Sequence, residues 1–446
     1  MPIDDLRSFL AVLAEKGQLA TIEQEVSLIH ELGSILATVE RKNGPAILFK
    51  RPAGARMPVV GGLLASPERI ALALACSLPE IPDRIAWAQE HPLPPRVTAT
   101  PLWEQRMEGE GVDLSQLPIP THAPGDSGPF ITAGVVISRD PDSGVQNLSF
   151  QRMQVQGQNQ LGIMINEWRH LKGFLDKAEA RGQALPIAVA IGVDPVLMIA
   201  AGLRYDGDEM EVAGALRGAP IEVVRSKFSG LLLPARAEII LEGEIPPGVR
   251  APEGPLAEFT GHYGEPWSSP VFVVKSISYR EGAIYQTLNG ASFEHINLGN
   301  VLPREPLLKR FVTHVSKNVK AVHLPPYGAG FLALIAVEKK NPGEPKNLAL
   351  AAMTAHVNIK NVIVVDPDVN IYDPADVLWA LSTRVRPEED IFYVKNAQGH
   401  ELDPTSDSRG VQTKMGIDAT VRGDRPYKKV VYPSVDLARY GLKTQF

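Results

Sequence analysis

Asn147-Leu148-Ser149-Phe150-Gln151-Arg152-Met153-Gln154 reads as a β-strand that is polar on both faces. A strand with a purely structural role would bury one apolar face. Side chains alternate along a strand, so Asn147 and Arg152 face opposite ways unless a bulge intervenes. Either each face carries a function, or this is a half-exposed edge strand. Its surroundings are rich in strands. Ile131 to Ser138 is one, Asp140-Pro141-Asp142-Ser143-Gly144 is a turn, and Val145 to Gln156 is the hairpin partner. Pro186 to Val193, Ile221 to Lys227, Glu238 to Leu241, Val271 to Tyr279 and Ala283 to Leu288 continue the texture, the last two as a hairpin around Arg280-Glu281-Gly282. A single helix, about 171–181, interrupts them. Many antiparallel strands with few helices predict a barrel-like domain from 130 to about 300.

On the N-terminal side, residues 4–16 form a helix capped by Asp4 or Asp5, with Leu6, Phe9, Leu10 and Leu13 as its apolar stripe. A second helix is expected over 28–42, strands at Ala46-Ile47-Leu48-Phe49 and Val59-Val60, and a helix from Pro67 to Leu78. This is a small α/β domain ending near residue 100. The proline-rich stretch 92–129 reads as an ordered linker wrapping the surface. On the C-terminal side, a helix over 303–317 links domains. Strand (Phe331 to Val337), helix (Leu348 to Val357), strand (Val362 to Val365) and helix (Ala375 to Val385) then alternate as α/β. After about 395 the tail is polar and carries little pattern.

A chain of 446 residues exceeds one core. A net charge of −6 argues against a nucleic-acid surface, which needs a basic field. The single cysteine, Cys76, excludes an internal disulfide and fits a reducing, cytoplasmic setting. The start has no basic or apolar leader. Residues 57–76 come nearest to a membrane span, and Pro67-Glu68-Arg69 breaks them.

Several common motifs are absent. Gly328-Ala329-Gly330 lacks the third glycine of a dinucleotide fingerprint, and no Walker A, HExxH or GxSxG occurs. Asp366-Pro367-Asp368-Val369-Asn370 starts like a calcium loop, but Ile371 and Val377 replace its glycine and glutamate. What remains is dispersed. Pro252-Glu253-Gly254-Pro255-Leu256-Ala257-Glu258 sets two acids five positions apart across a Gly-Pro turn. Apolar neighbours would push their pKa values apart, desolvation raising one while a cation holds the other ionised; otherwise these are two surface glutamates on a turn. Trp168-Arg169-His170 precedes a helix, where His170 is either a ligand or a satisfied structural residue. Asp206-Gly207-Asp208-Glu209-Met210-Glu211 is either a solvated acidic face or a ligand source feeding the small residues after it. Asn, His and Glu together make an oxygen/nitrogen set without thiolate, which suits manganese or magnesium.

In combination, Asn147-x-Ser149-x-x-Arg152-Met153-Gln154, Arg169-His170, Glu209-x-x-x-Ala213-Gly214, Glu253-Gly254-Pro255-x-x-Glu258 and Lys414-Met415-Gly416-Ile417-Asp418-Ala419-Thr420 resemble the UbiD-type decarboxylases over most of the chain. The resemblance implies an α/β + β fold: an N-terminal α/β domain (1–105), a central split β-barrel flavin-binding domain (106–302), a linker helix (303–320) and a C-terminal α/β dimerisation domain (321–446). It implies reversible decarboxylation of an unsaturated or aromatic acid with prenylated FMN, supplied by a flavin prenyltransferase. The cofactor phosphate would be held through Mn2+, with K+ nearby. Asn147, His170 and Glu209 fall on the metal-ligand positions, and Ser149, Gln151, Met153 and Arg169 join them around the cofactor. Arg152, Glu253 and Glu258 fall on the catalytic network, with Glu258 as proton donor. Lys360 is the nearest candidate for a phosphate-side lysine.

Furandicarboxylate decarboxylases of that family hold a second carboxylate with a histidine and an arginine. His295 and Arg304 match, which implies conversion of furan-2,5-dicarboxylate to 2-furoate. Alternatively Arg304 only opens the linker helix, and the substrate is pyrrole-2-carboxylate or indole-3-carboxylate. The expected partners are a small carboxylate, CO2 and a second copy of the chain, with neither nucleic acid nor membrane. Two other classes remain: a non-catalytic flavin-binding subunit, and a carboxylate-pair hydrolase such as a glycosidase. The intact Arg152, Glu253 and Glu258 set speaks against the first, and an aromatic content of 6% against the second.

Overall fold

A computed structural model describes residues 3–423 and residues 427, 429, 430, 432, 433, 435 and 439. Residues 1–2 and the other positions after 423 lie outside them, and so do the ends of the expected first and last domains. Three successive parts are arranged along the chain.

The first is α/β. Asp5 caps the helix Leu6–Glu15 through a reciprocal pair with Ser8, and Leu6, Phe9, Leu10 and Leu13 are its buried stripe. The expected strand at 46–49 is Ala46–Pro52, lying between Leu19–Val26 and Val59–Gly61. The sheet's fourth strand comes from far along the chain: Tyr285–Gln286 pairs in parallel with Val59 and Val60. This overturns the hairpin expected around Arg280-Glu281-Gly282. The chain leaves the central sheet there, and Ala283 and Tyr285 join Val59 in one buried apolar cluster. Arg7 and Glu238 fix the same junction, with the guanidinium donating to both carboxylate oxygens at 2.8 and 2.9 Å.

The central part is a ten-stranded sheet whose main path starts with Phe130–Ile131 and Met153–Val155 and ends with Val135–Arg139 and Gln146–Phe150. The expected strand 131–138 is therefore two strands, and so is 145–156. Their breaks close the sheet. Phe150 ends the strand at one edge, and Met153 opens a strand beside the opposite edge. Two residues span at most ~11 Å between them. The sheet must therefore curl until its edges face each other, with Gln151 and Arg152 in the seam. No strand pairing bridges that seam among the described residues, so the barrel is split rather than closed. Two helices of this part escaped the sequence reading, as did Ile81–Glu90 in the first. Pro195–Gly202 is buried on every side, so it has no amphipathic stripe to read. Glu209–Arg217 hides behind its acidic run: Asp208 caps it, Gly218 ends it, and Glu209 is 1% exposed. The proline-rich linker is ordered, and Val112, Leu114 and Leu117 enter the core.

The linker helix begins earlier than expected. Phe293–Ile296 passes through a π turn, Asn297–Val301, into Leu302–Val315. The last part is a five-stranded sheet ordered Val319–His323, Leu332–Val337, Asn361–Val365, Val411–Ala419, Ile391–Gln398. Its last two strands correct the patternless tail. Val411–Ala419 is an inner strand although Lys414 sits in it, because the buried ammonium donates to the carbonyls of Met353 and Val357 at 2.9 and 3.2 Å.

Candidate active site

Arg152 leaves the seam toward the strand Arg250–Glu253. Its Nε and Nη2 donate to Glu253 Oε1 and Oε2 at 2.9 and 3.0 Å, and its Nη1 donates to Glu258 Oε1. One guanidinium thus spans two carboxylates. The acid loop is tied to the seam strand as well. Gln154 accepts from the Gly254 N–H at 2.9 Å, and Gln156 donates to the Pro252 carbonyl at 2.6 Å. The second polar face of the opening stretch therefore holds the acids in place. Gly254 has φ +92°, and a Cβ there would stand 3.0 Å from Arg152 Nη2. Only glycine lets the turn close over the guanidinium.

Glu253 is fully buried, and the side chain of Glu258 is 14% exposed. Desolvation raises the pKa of both, and Arg152 opposes it in each. The expectation that the two would shift apart is corrected: burial raises both, and the one cation they share opposes it in each.

A second cluster lies at the start of Glu209–Arg217. Asn147 Nδ2 donates to Glu209 Oε1 at 2.7 Å and lies 3.5 Å from His170 Nδ1, while the Leu148 N–H donates to Glu209 Oε2 at 2.7 Å. Burial pushes Glu209 up to about 8, the behaviour of a carboxylate lacking a cation. Asn147 Oδ1 is buried without a partner. An orphaned amide oxygen, a desolvated carboxylate and an imidazole nitrogen form a hard donor set that fits a divalent ion. His, Cys, Asp and Glu alone form no threefold metal cluster among the described residues, because an amide supplies the third donor.

Arg169 is exposed and Arg304 half-buried, although protein crowds both guanidinium groups. Burial lowers Arg169, and it pushes Arg304 down to about 9 with Arg169 as the repelling neighbour. Arg304 donates to Asn300 Oδ1, and it pairs with no carboxylate among the described residues. His295 is pushed down to about 4 by burial and then by Arg152, so it is neutral near pH 7, and its Nδ1 accepts the N–H of Ala291 at 3.2 Å. Ser149 and Gln151 are buried and bonded to each other at 3.3 Å. Met153 is not brought to the site: its side chain is wholly in the core with Ile131 and Val189. Lys360 is committed to Asp403 at 2.8 Å and to Thr405. Asn300, His356 and His400 surround Arg304 and were missed, since each lies on a separate segment and no spacing links them. A groove of about 1690 Å3 lies elsewhere, beside Leu74–Ser77 and Arg217, and includes none of the expected site residues.

Residues 10–89, 96–292 and 298–419 match, in order, the N-terminal, Rift-related and C-terminal domains of 3-octaprenyl-4-hydroxybenzoate carboxy-lyase. The chain belongs to the UbiD family. It is a carboxy-lyase of that family, a decarboxylase with the three-part fold. It is 39% identical to anhydromevalonate phosphate decarboxylase of Methanothermobacter thermautotrophicus, over 93% of this chain and 96% of that one. Among solved structures, the UbiD-class enzyme HmfF from Pelotomaculum thermopropionicum, in complex with FMN, is 41% identical with a TM-score of 0.92, covering 98% of this chain and all of that one. A dimeric evolved form of HmfF, 38% identical with a TM-score of 0.89, carries prFMN and covers 98% of this chain and 100% of its own. The 3,4-dihydroxybenzoic acid decarboxylase of Enterobacter cloacae is 33% identical with a TM-score of 0.92, covering 99% of each chain. Among the described residues no helix is long and apolar enough to cross a membrane.

Proposed function

We propose that this UbiD-family chain decarboxylates an unsaturated or heteroaromatic acid carrying a second anionic group, with furan-2,5-dicarboxylate to 2-furoate as the first candidate. The observation that carries the reading is Arg304, a crowded guanidinium with Arg169 as its charged neighbour and no carboxylate to neutralise it. A desolvated cation of this kind is stabilised by an anionic ligand, and guanidinium suits a forked carboxylate or phosphate. The archaeal relative's name, anhydromevalonate phosphate decarboxylase, also describes a substrate with a second anion. Planar monoacids such as pyrrole-2-carboxylate or indole-3-carboxylate would leave Arg304 unpaired.

Asn147, His170 and Glu209 would hold a Mn2+ ion beside the phosphate of prenylated FMN, with K+ close by and Arg169 facing the same anion. Ser149 and Gln151 would line the cofactor from the seam, and a flavin prenyltransferase would supply it. When bound, the modified flavin supplies the electron sink that no side chain provides. The chain's own residues do the rest. Arg152 sets the positions of both acids. The bond from the ring carbon to the carboxylate breaks and CO2 leaves. Glu258 then delivers its proton to that carbon, which its raised pKa favours. Glu253, held by two bonds, keeps the guanidinium from swinging away. A homodimer in the cytoplasm is the assembly and setting we propose.

The test is a substrate panel on protein co-expressed with a flavin prenyltransferase, with CO2 detected. Furan-2,5-dicarboxylate or anhydromevalonate phosphate should be turned over, with pyrrole-2-carboxylate and 3,4-dihydroxybenzoate slower. Turnover restricted to the monoacids would remove the second-anion reading.

A further inference from the structure

Two turns of the C-terminal part stand near Arg304, one of them joined to it through Asn300, and each carries a histidine held the same way. His356 Nδ1 accepts the N–H of Asn358 at 3.2 Å, and His400 Nδ1 accepts the N–H of Leu402 at 3.0 Å. A backbone amide can only donate, so each neutral ring must carry its proton on Nε2. Burial and then Arg304 lower both imidazoles, His356 to about 3, so both are neutral N–H donors near pH 7.

The two turns are braced toward the site. Lys414 ties the carbonyls of Met353 and Val357 on either side of His356. Fully buried Asn358 donates to Asn300 Oδ1 at 3.4 Å, the same oxygen that receives Arg304. The His400 ring stands edge-on to Phe259 at 5.5 Å, and Phe259 directly follows Glu258. Two acids act on His400, the adjacent Glu401 and Asp403, and Lys360 neutralises the second. The charged groups that act on His356 are cations: Arg304, Lys414 and Arg204.

We propose that His356 and His400, with Arg304, form an anion subsite supplied by the C-terminal part, which receives the substrate's carboxylate or phosphate remote from the one lost as CO2. The inference rests on the second-anion reading above and adds the two histidines as determinants of specificity. A buried donor left without its acceptor discriminates strongly against a ligand that lacks the anion.

Calorimetric binding to the FMN-loaded protein tests it, with furan-2,5-dicarboxylate and anhydromevalonate phosphate each compared with 2-furoate. The wild type should bind at least one dianion about tenfold more tightly than 2-furoate. His356→Ala and His400→Ala should each cut that preference by about threefold or more, with 2-furoate unchanged. Glutamine at either position keeps an N–H donor and should recover part of the loss. Leucine gives the same comparison where alanine does not fold. A preference kept in both donor-less variants overturns the proposal and leaves Arg304 as the sole anion anchor. A wild type without any dianion preference removes the second-anion reading and this proposal together.

Discussion

In the proposed reaction, Glu258 is the side chain on which the chemistry turns. Glu258→Gln keeps the shape and loses the proton, so cofactor absorbance should persist while turnover falls by about 10²-fold or more. Normal decarboxylation by that variant would remove Glu258 as the donor. Gly254→Ala tests the geometry instead. The new Cβ would crowd Arg152 Nη2, and a φ of +92° suits no side chain. A backbone cost of about 1–3 kcal/mol is expected, seen in chemical denaturation, together with loss of activity. In the other cluster, Asn147→Leu removes an amide but keeps its bulk. Metal content after dialysis, read by elemental analysis, should drop at least tenfold, since only two of the three proposed ligands would remain.

Among elements, the short strand Tyr285–Gln286 has the greatest reach. It fastens the N-terminal sheet to the central one through Val59 and Val60. Tyr285 is fully buried and its hydroxyl has no partner. Tyr285→Phe should therefore be neutral or stabilising by about 1 kcal/mol, because it deletes an unsatisfied polar atom. Tyr285→Ala should cost about 3–5 kcal/mol through the cavity it leaves. Urea titration of the two variants separates these outcomes. The π turn at Asn297–Val301 has a comparable effect on the site. Residues nine apart on a straight α-helix face opposite ways. One inserted residue swings Arg304 to within roughly 80° of the direction of His295. Helical periodicity in the sequence cannot reveal such an insertion.

For the whole molecule, buried histidines draw stability down toward acid, while buried carboxyls such as Glu209 and Glu294, raised by desolvation, act the other way. Burial lowers His122 and His295 from 6.5 to about 4. At these two histidines the folded state therefore binds fewer protons than the unfolded chain. Their contribution is fully present above pH 6.5, and it is lost as pH falls from there toward 4. For fully enclosed His122 it amounts to roughly 3 kcal/mol. In melting temperature measured across pH 7 to 4, His122→Asn should lose less, or gain more, than the wild type. How much of this was legible varies by region. The helix Leu6–Glu15 and the strands Ala46–Pro52 and Leu332–Val337 were readable, because their apolar period repeats over neighbouring residues. The identities of Asn147, Arg152, Glu253 and Glu258 also pointed to the site, since carboxylates beside glycine and apolar residues are unusual on a solvated loop. The pairing of Tyr285 with the first sheet, the seam at Gln151 and Arg152, and the buried lysine strand were not readable. Each depends on a partner more than 50 positions away, to which no local pattern refers. The sequence alone settled which side chains carry charge and which segments want an apolar face. Only the tertiary structure decided that one guanidinium would span both acids, because that contact exists only after the sheet's two edges have curled to meet.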